Sequence, residues 1–324
     1  MKTAVILFNL GGPDSTDSIR PFLMNFFLDK NIIRLPFPFR WVIAKLISVR
    51  RSKGDALKAY GFLGGKSPLL ENTKAQAAAL EKNLNEKGGN GFFKVFPCMR
   101  YWHPMAEEVT RQVQAWEPDG IILLPLYPQY STTTTKSSFE SWEKACLDAG
   151  LTLPTRKITH YHTEEGFVGA AAENIADVYV RAKKETRQNP RLLFSAHGLP
   201  ESIIKGGDPY QRQCEESALA IAKKTGIENP DWQICYQSRV GPKKWIGPSI
   251  EDALRKAAAD RVPVVVYPLS FTQEHVETLV ELDIEYKELA RKIGLPAFYR
   301  VPAVSVHPAF ISGLAGMVLG LNKT

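Results

Sequence analysis

Cysteine is scarce in this 324-residue chain: Cys98, Cys146, Cys214 and Cys235 lie far apart, without a Cys-x-x-Cys pair. That pattern excludes a disulfide framework and a zinc-finger site, and it fits a reducing cytoplasm. Long apolar runs are missing as well. The run at 121–124 stops at Pro125, and 262–269 contains two prolines. Neither approaches the roughly 20 residues of a membrane-spanning helix. Near the N-terminus only 4–8 is apolar before Asn9, too short for a signal peptide and better read as a first strand. No Gly-x-Gly-x-x-Gly follows a strand pattern, and Gly65-Lys66-Ser67 has Tyr60 where a phosphate-binding loop needs glycine. There is no Gly-x-Ser-x-Gly elbow and no His-Glu-x-x-His. Nucleotide, serine-hydrolase and zinc-protease chemistry therefore have no motif to rest on.

What is present describes a folded protein. Apolar residues make up 44% of the chain and charged residues 23%, and the length suits two domains. Lys and Arg number 41 against 34 Asp and Glu, a net charge of +7. That balance suits an anionic ligand or an anionic membrane surface. The basic residues are scattered and no recognition motif accompanies them, so no nucleic-acid partner is expected.

Short β-branched and aromatic runs occur at 3–8, 92–97, 120–124, 156–161, 191–195, 233–236, 262–267 and 297–301. Helical patterns alternate with them at 69–86, 105–116, 136–149, 165–187, 210–225, 249–259, 276–292 and 308–319. Several strand runs are apolar throughout, as when both faces are buried. This alternation predicts an α/β fold with parallel sheets flanked by helices. A weak internal repeat divides it. Leu7-Phe8-Asn9-Leu10-Gly11-Gly12-Pro13-Asp14-Ser15 is similar to Leu193-Phe194-Ser195-Ala196-His197-Gly198-Leu199-Pro200-Glu201-Ser202, with one extra residue in the second copy. The next strand of each half is followed by Arg100…Pro104 or Arg239…Pro242. The third ends in Pro125-Leu126-Tyr127 or Pro268-Leu269-Ser270-Phe271. Two such lobes bind ligand in the crevice beyond the carboxyl ends of their strands, where these loops are expected to gather.

The halves differ by about 47 extra residues in the first, around 22–67, the most apolar and aromatic stretch of the chain. It reads either as a core helix pair or as an apolar lip over the binding cleft. In the second reading Phe37, Phe39 and Trp41, with Arg40, Lys45, Arg50 and Arg51 nearby, could touch a membrane surface.

Charge is oddest between Val262 and Tyr286. These 25 residues hold no Lys or Arg but five acids: Glu274, Glu277, Glu281, Asp283 and Glu285. A solvated helix would offset them with lysines at i+4. Here Glu277, Glu281 and Glu285 recur at every fourth position. On an α-helix they would drift by about 40° per step, and a π-bulge would bring them into line. Carboxylates this close are tolerated when a cation or proton sits among them. His275 lies beside this stretch, and His197 closes the first strand of the same lobe beside Gly198. Imidazole with carboxylate suits Fe(II), Zn(II) or Co(II). The other histidines, His103, His160, His162 and His307, read as structural.

At this point the chain resembles the ferrochelatases. The resemblance rests on LFNLGGPDS, AYGFLGGKSPL, MRYWHP, LYPQYS, LFSAHGLP, GDPYQRQC, CYQSRVGPKKWIGPS and PLSFTQEHVETLVELDIEY, which run nearly end to end. It implies two Rossmann-like lobes of the class II chelatase type: 1–155, with the lip and a returning C-terminal helix 306–324, and 156–305. It implies a lyase that inserts Fe(II) into protoporphyrin IX and releases two protons, the last step of haem biosynthesis. His197 and Glu277 stand at the family's essential histidine and glutamate, assigned to metal binding and to removal of the pyrrole protons. Glu281 and Glu285 match the acidic ridge behind that glutamate, a route for metal or protons. Leu10, Tyr60, Ser67, Arg100, Tyr127, Trp245 and Phe271 match residues lining the porphyrin pocket, and His275 is added to them as a substrate contact.

Some members hold an iron–sulfur cluster through a C-terminal extension and a cysteine after the PQYS segment. Here the chain stops at Thr324 and Thr132 follows Ser131. No cluster and no prosthetic group are therefore expected, Fe(II) being substrate, and the protein is expected to be a cytoplasmic monomer with peripheral membrane contact at most. Coproporphyrin III as the ring, cobalt as the metal, and a non-catalytic tetrapyrrole or metal carrier are the competing readings. The carrier has no need of a base.

Overall fold

The computed structural model describes residues 1–322 apart from Asn90, Val240 and Pro242. Pro242 of the second Arg…Pro pair, and Lys323 and Thr324 of the expected last helix, lie outside the described residues. The chain divides into two compact units. One comprises Met1–Tyr127, Ser131–His160 and the residues from Leu314 on; the other comprises Pro128–Tyr130 and Tyr161–Gly313.

The first unit holds β1 (Lys2–Asn9), α1 (Ile19–Leu28), α2 (Phe37–Lys53), α3 (Asp55–Gly61), α4 (Leu69–Lys87), β2 (Phe92–Met99), α5 (Ala106–Trp116), β3 (Gly120–Pro125), α6 (Thr135–Ala149) and β4 (Thr155–Lys157). The second holds α7 (Glu165–Thr186), β5 (Arg191–His197), α8 (Glu201–Lys205), α9 (Tyr210–Lys224), β6 (Trp232–Gln237), α10 (Ile250–Ala259) and β7 (Val264–Pro268). A π-helix (Glu277–Tyr286), α11 (Lys287–Lys292) and β8 (Phe298–Arg300) complete it, and α12 (Pro308–Asn322) closes the chain.

Each unit carries one parallel four-stranded sheet. The orders are β2-β1-β3-β4 and β6-β5-β7-β8, the same permutation twice. The repeat extends to single bonds: Leu126 N–H reaches Phe8 O at 2.8 Å, and Leu269 N–H reaches Ser195 O at the same distance. The central strands are apolar on both faces because helices cover both. Ile6, Phe8, Ile121 and Leu123 pack on Phe139 and Trp142 in the first unit. In the second, Leu193, Val264 and Val266 pack on Leu254 and Leu282. Each fully buried side chain of this kind contributes about 1.5–3 kcal/mol relative to its exposed state.

Expectation and structure differ at the sheet edges. The runs at 156–161 and 297–301 form only three-residue strands, Thr155–Lys157 and Phe298–Arg300. Both are edge strands with one neighbour, and no residue of either is fully buried, so little burial extends the pairing. The expected boundary at 155/156 falls inside β4; the division between units comes after His160. In the apolar insertion, α2 buries only Ala44 and Ser48 and leaves Phe37 62%, Phe39 66% and Leu46 66% exposed. No helix among the described residues is long and apolar enough to cross a membrane.

Candidate active site

In parallel sheets the strands end together, so residues at their carboxyl termini become neighbours. His197 is the last residue of β5 and stands in register with Gln237, the last of β6. The His197 main-chain N–H is held by Ser270 Oγ at 3.0 Å, in the loop after β7. Its Nδ1 lies 2.6 Å from Gly198 O. A carbonyl only accepts, so Nδ1 carries the hydrogen and the lone pair of the neutral ring is on Nε2. That nitrogen faces Glu277 Oε1 at 3.7 Å, and the imidazole is 35% exposed.

Glu277 opens the π-helix and has an imidazole at each oxygen. His275 Nε2 lies 3.6 Å from Oε2. His275 is buried, and its ring packs against Phe271 with centroids 4.7 Å apart. The π ladder runs i→i+5 rather than i→i+4, so its turn is wider and counters the drift that an α-helix would impose on the three glutamates. They pass from half-buried Glu277 and Glu281 to exposed Glu285.

Glu281 is held from β6. Its Oε2 accepts from Gln237 Nε2 at 2.9 Å and from Ser238 Oγ at 2.6 Å. Burial, with the Glu277 carboxylate next in importance, pushes its carboxyl up to about 7, although the two donors and His197 act the other way. It is a carboxyl able to hold or release a proton near neutrality. Ser238 has φ of +62°, in the left-handed region that non-glycine residues adopt uncommonly.

Two of the five acids have their cation elsewhere. Arg300, on β8, donates to Glu274 Oε1 and to Asp283 Oδ1, both at 2.7 Å. Burial alone would raise the Glu274 carboxyl, but the Arg300 guanidinium, Thr278 and the Ala303 N–H hold it below its ordinary value. The acid excess left for other chemistry is thus Glu277, Glu281 and Glu285. Among the described residues no three His, Cys, Asp or Glu side chains converge in a ready-made metal site, so these three glutamates and His197 do not form one closed cage.

The remaining expected residues fall as follows. In the second unit, Trp245 is half-buried and bridges Pro200, next to the His197 loop. In the first unit, Leu10 O accepts the Tyr101 N–H at 2.9 Å, and Asn9 O accepts the Arg100 N–H at 2.8 Å. Ser67 stands against Gly12, where a Cβ would come within 2.6 Å of it, so the glycine is needed for that approach. Tyr60 and Tyr127 are buried. Arg100 is committed in part: its Nε donates to Ser137 Oγ at 2.7 Å and Nη2 to Asp29 Oδ2 at 3.1 Å. Three histidines read as structural pair with carboxylates: His103 with Glu108, His162 with Glu216 and His307 with Glu173.

Sequence reasoning missed Ser195, Gln237, Ser238 and Arg300. A signal for Gln237 and Ser238 existed in the repeat, which put the end of this strand among the gathered loops. None pointed to Arg300, which lies beyond the acidic stretch.

Two parallel sheets in this order, with an imidazole ending one strand and a carboxylate opening the π-helix, share the fold of the class II chelatases. SirB from Bacillus subtilis, solved with Fe3+, aligns over 100% of this chain and 97% of its own with a TM-score of 0.58 at 14% identity. CbiX, the terminal enzyme for sirohaem biosynthesis in denitrifying bacteria, aligns over 99% of both chains with a TM-score of 0.52 at 13% identity. At such identities the likeness concerns the fold. The sequence itself goes further: the ferrochelatase family profile matches residues 2–320, and the chain belongs to that family. A ferrochelatase of Wolbachia sp. subsp. Drosophila simulans is 54% identical over 99% of this chain and 100% of its own. That of Caulobacter vibrioides (strain NA1000 / CB15N) is 49% identical over 98% and 89%. The protein is a porphyrin metal-chelating lyase of haem biosynthesis, with ferrous iron as the metal.

Proposed function

We propose that His197 and Glu277 are the groups that carry out the insertion, and that Glu281 and Glu285 connect them to solvent. Free-base porphyrin is flat and holds two protons on its central nitrogens. Iron cannot meet all four lone pairs until those protons leave and the ring bends, at a cost of a few kcal/mol met by contacts remote from the centre. The Nε2 lone pair of His197 accepts one pyrrole proton at a time, two in all, and the Glu277 carboxylate stabilises the imidazolium that results. Glu281, able to exchange a proton near neutrality, passes it toward exposed Glu285. Fe(II) meets the Glu277 carboxylate, and His197 joins it as a donor once Nε2 has given up its proton, a set suited to a borderline cation. Trp245, Phe271 and His275, in the same unit as His197 and Glu277, are read as contacts of the macrocycle.

The observation that carries this reading is the 3.7 Å approach of His197 Nε2 to Glu277 Oε1, with the ring's other nitrogen already committed to Gly198. Glu277→Gln keeps the shape and removes the charge. Anaerobic Fe(II) insertion is expected to fall by about 100-fold, with protoporphyrin IX still bound in a fluorescence titration. Wild-type turnover in this variant would take Glu277 out of the reaction.

A peripheral membrane contact is part of the same proposal. It is supported by Phe37, Phe39, Trp41 and Leu46, at least 40% exposed on a helix whose last turn carries Arg50, Arg51 and Lys53. Vesicles of anionic lipid should co-sediment with the protein, and Phe37→Ser with Phe39→Ser should weaken that binding several-fold. Equal sedimentation of both proteins would remove the helix from the contact.

A further inference from the structure

We propose that Gln237 sets the separation between His197 and Glu277, holding one through its main chain and the other through its side chain. The inference rests on the reading of those two residues as the reacting pair. Gln237 is 0% exposed, and an amide so buried is kept only where its bonds are made. Its main-chain carbonyl and both ends of its side-chain amide are engaged. The main-chain carbonyl accepts the Gly198 N–H at 2.8 Å, and the Gly198 carbonyl takes the His197 Nδ1–H. The imidazole therefore hangs from Gln237 by two hydrogen bonds. The side-chain Nε2 donates to the Glu277 main-chain O at 3.0 Å and to Glu281 Oε2 at 2.9 Å. Oε1 accepts from Ser195 Oγ at 2.7 Å, a bond that fixes which way the amide faces.

With both amide hydrogens and the amide oxygen in use, Gln237 is a positioning residue and not a catalytic one. Its closeness to the histidine loop depends on Gly198. A Cβ there would come within 2.9 Å of Gln237 O and 3.3 Å of the Trp245 ring, so any larger residue would push loop and strand apart. One side chain and one carbonyl thus tie the end of β5 to the first turn of the π-helix. An error of about 1 Å in such a separation can cost about 100-fold in rate.

The test is Gln237→Met in the full-length enzyme, which keeps length and removes the side-chain bonds while leaving the main-chain bond to Gly198. Turnover number for Fe(II) insertion is expected to fall about 10- to 100-fold, with the KM for protoporphyrin IX within about twofold of wild type. Ser195→Ala, which frees the amide to rotate, should lower kcat in the same direction by less, and the double variant should lose less than the product of the two. Unchanged kcat in a folded Gln237→Met protein overturns the proposal, as does a raised porphyrin KM at wild-type kcat. So does an equal loss in Ser238→Ala, which removes a bond to Glu281 alone. Should Met at 237 prevent folding, Ser195→Ala decides: lowered kcat at constant KM supports the role, and wild-type kcat ends it. A fully active His197→Ala enzyme would sink the reacting pair itself, whereas an inactive one beside an unimpaired Gln237→Met sinks only this inference.

Discussion

His197→Ala is expected to lose Fe(II) insertion by about 1,000-fold or more while still binding protoporphyrin IX, the upper range for removal of a positioned acid–base group. The size follows from what the imidazole alone supplies. Its Nδ1–H is committed to Gly198 O, so the only free lone pair in the ring is on Nε2, 3.7 Å from Glu277. Alanine takes away that lone pair and leaves the carboxylate without a cation to face once protons are released. It should not take away the fold. The bond from the residue 197 main-chain N–H to Ser270 Oγ survives the change, as does the pairing of β5 with β6 and β7. Anaerobic incubation with Fe(II), following loss of the free-base porphyrin bands, measures insertion. Quenching of porphyrin fluorescence measures binding. Turnover near the wild-type rate would remove His197 from the mechanism.

Arg300→Leu should destabilise the protein by roughly 3 kcal/mol, the low end for breaking a buried ion pair by removing one partner. The low end applies because Asp283 is 35% exposed, whereas Glu274 is 24% and Arg300 15% exposed. Leucine takes the guanidinium away from two carboxylates, Asp283 within the π-helix and Glu274 just before it. The loss should depend on pH in a definite sense. Glu274 has a folded pKa below its ordinary 4.5, so its contribution is present above that value and fades as pH falls through the folded one. The difference between wild type and variant should therefore be larger at pH 7 than near pH 4. Arg300→Lys restores the charge without the planar fork and should recover only part of the loss. Urea unfolding at the two pH values reads all of this. Coincident curves for wild type and Arg300→Leu at pH 7 would contradict it.

Much of the fold was legible because burial on both faces leaves a plain mark. Runs such as Val264–Pro268 have no other use in a charged chain, and the repeat announced two similar lobes, though not the order of their strands. The edge strands were blurred because they bury too little to select apolar residues. At the candidate site, His197 and Glu277 stood out in the sequence as residue types out of place: an imidazole at a strand end, and acids stacked without lysines. The counter-charge was not. Arg300 lies outside the acidic stretch and reaches Glu274 and Asp283 only because β8 pairs with β7. For Gln237 the repeat marked only the place, since a glutamine ending a strand looks like any polar turn residue until both ends of its amide are seen in use.

The four thiols have a consequence for an enzyme that handles ferrous iron. Cys98, Cys214 and Cys235 are buried, and burial holds all four thiols in the protonated form, Cys146 least deeply. Protonated, enclosed sulfur neither captures a soft metal nor offers oxidants a thiolate. Ferrous iron is thus offered no thiolate by any of the four cysteines, and peroxide meets them as thiols, the slower form to oxidise.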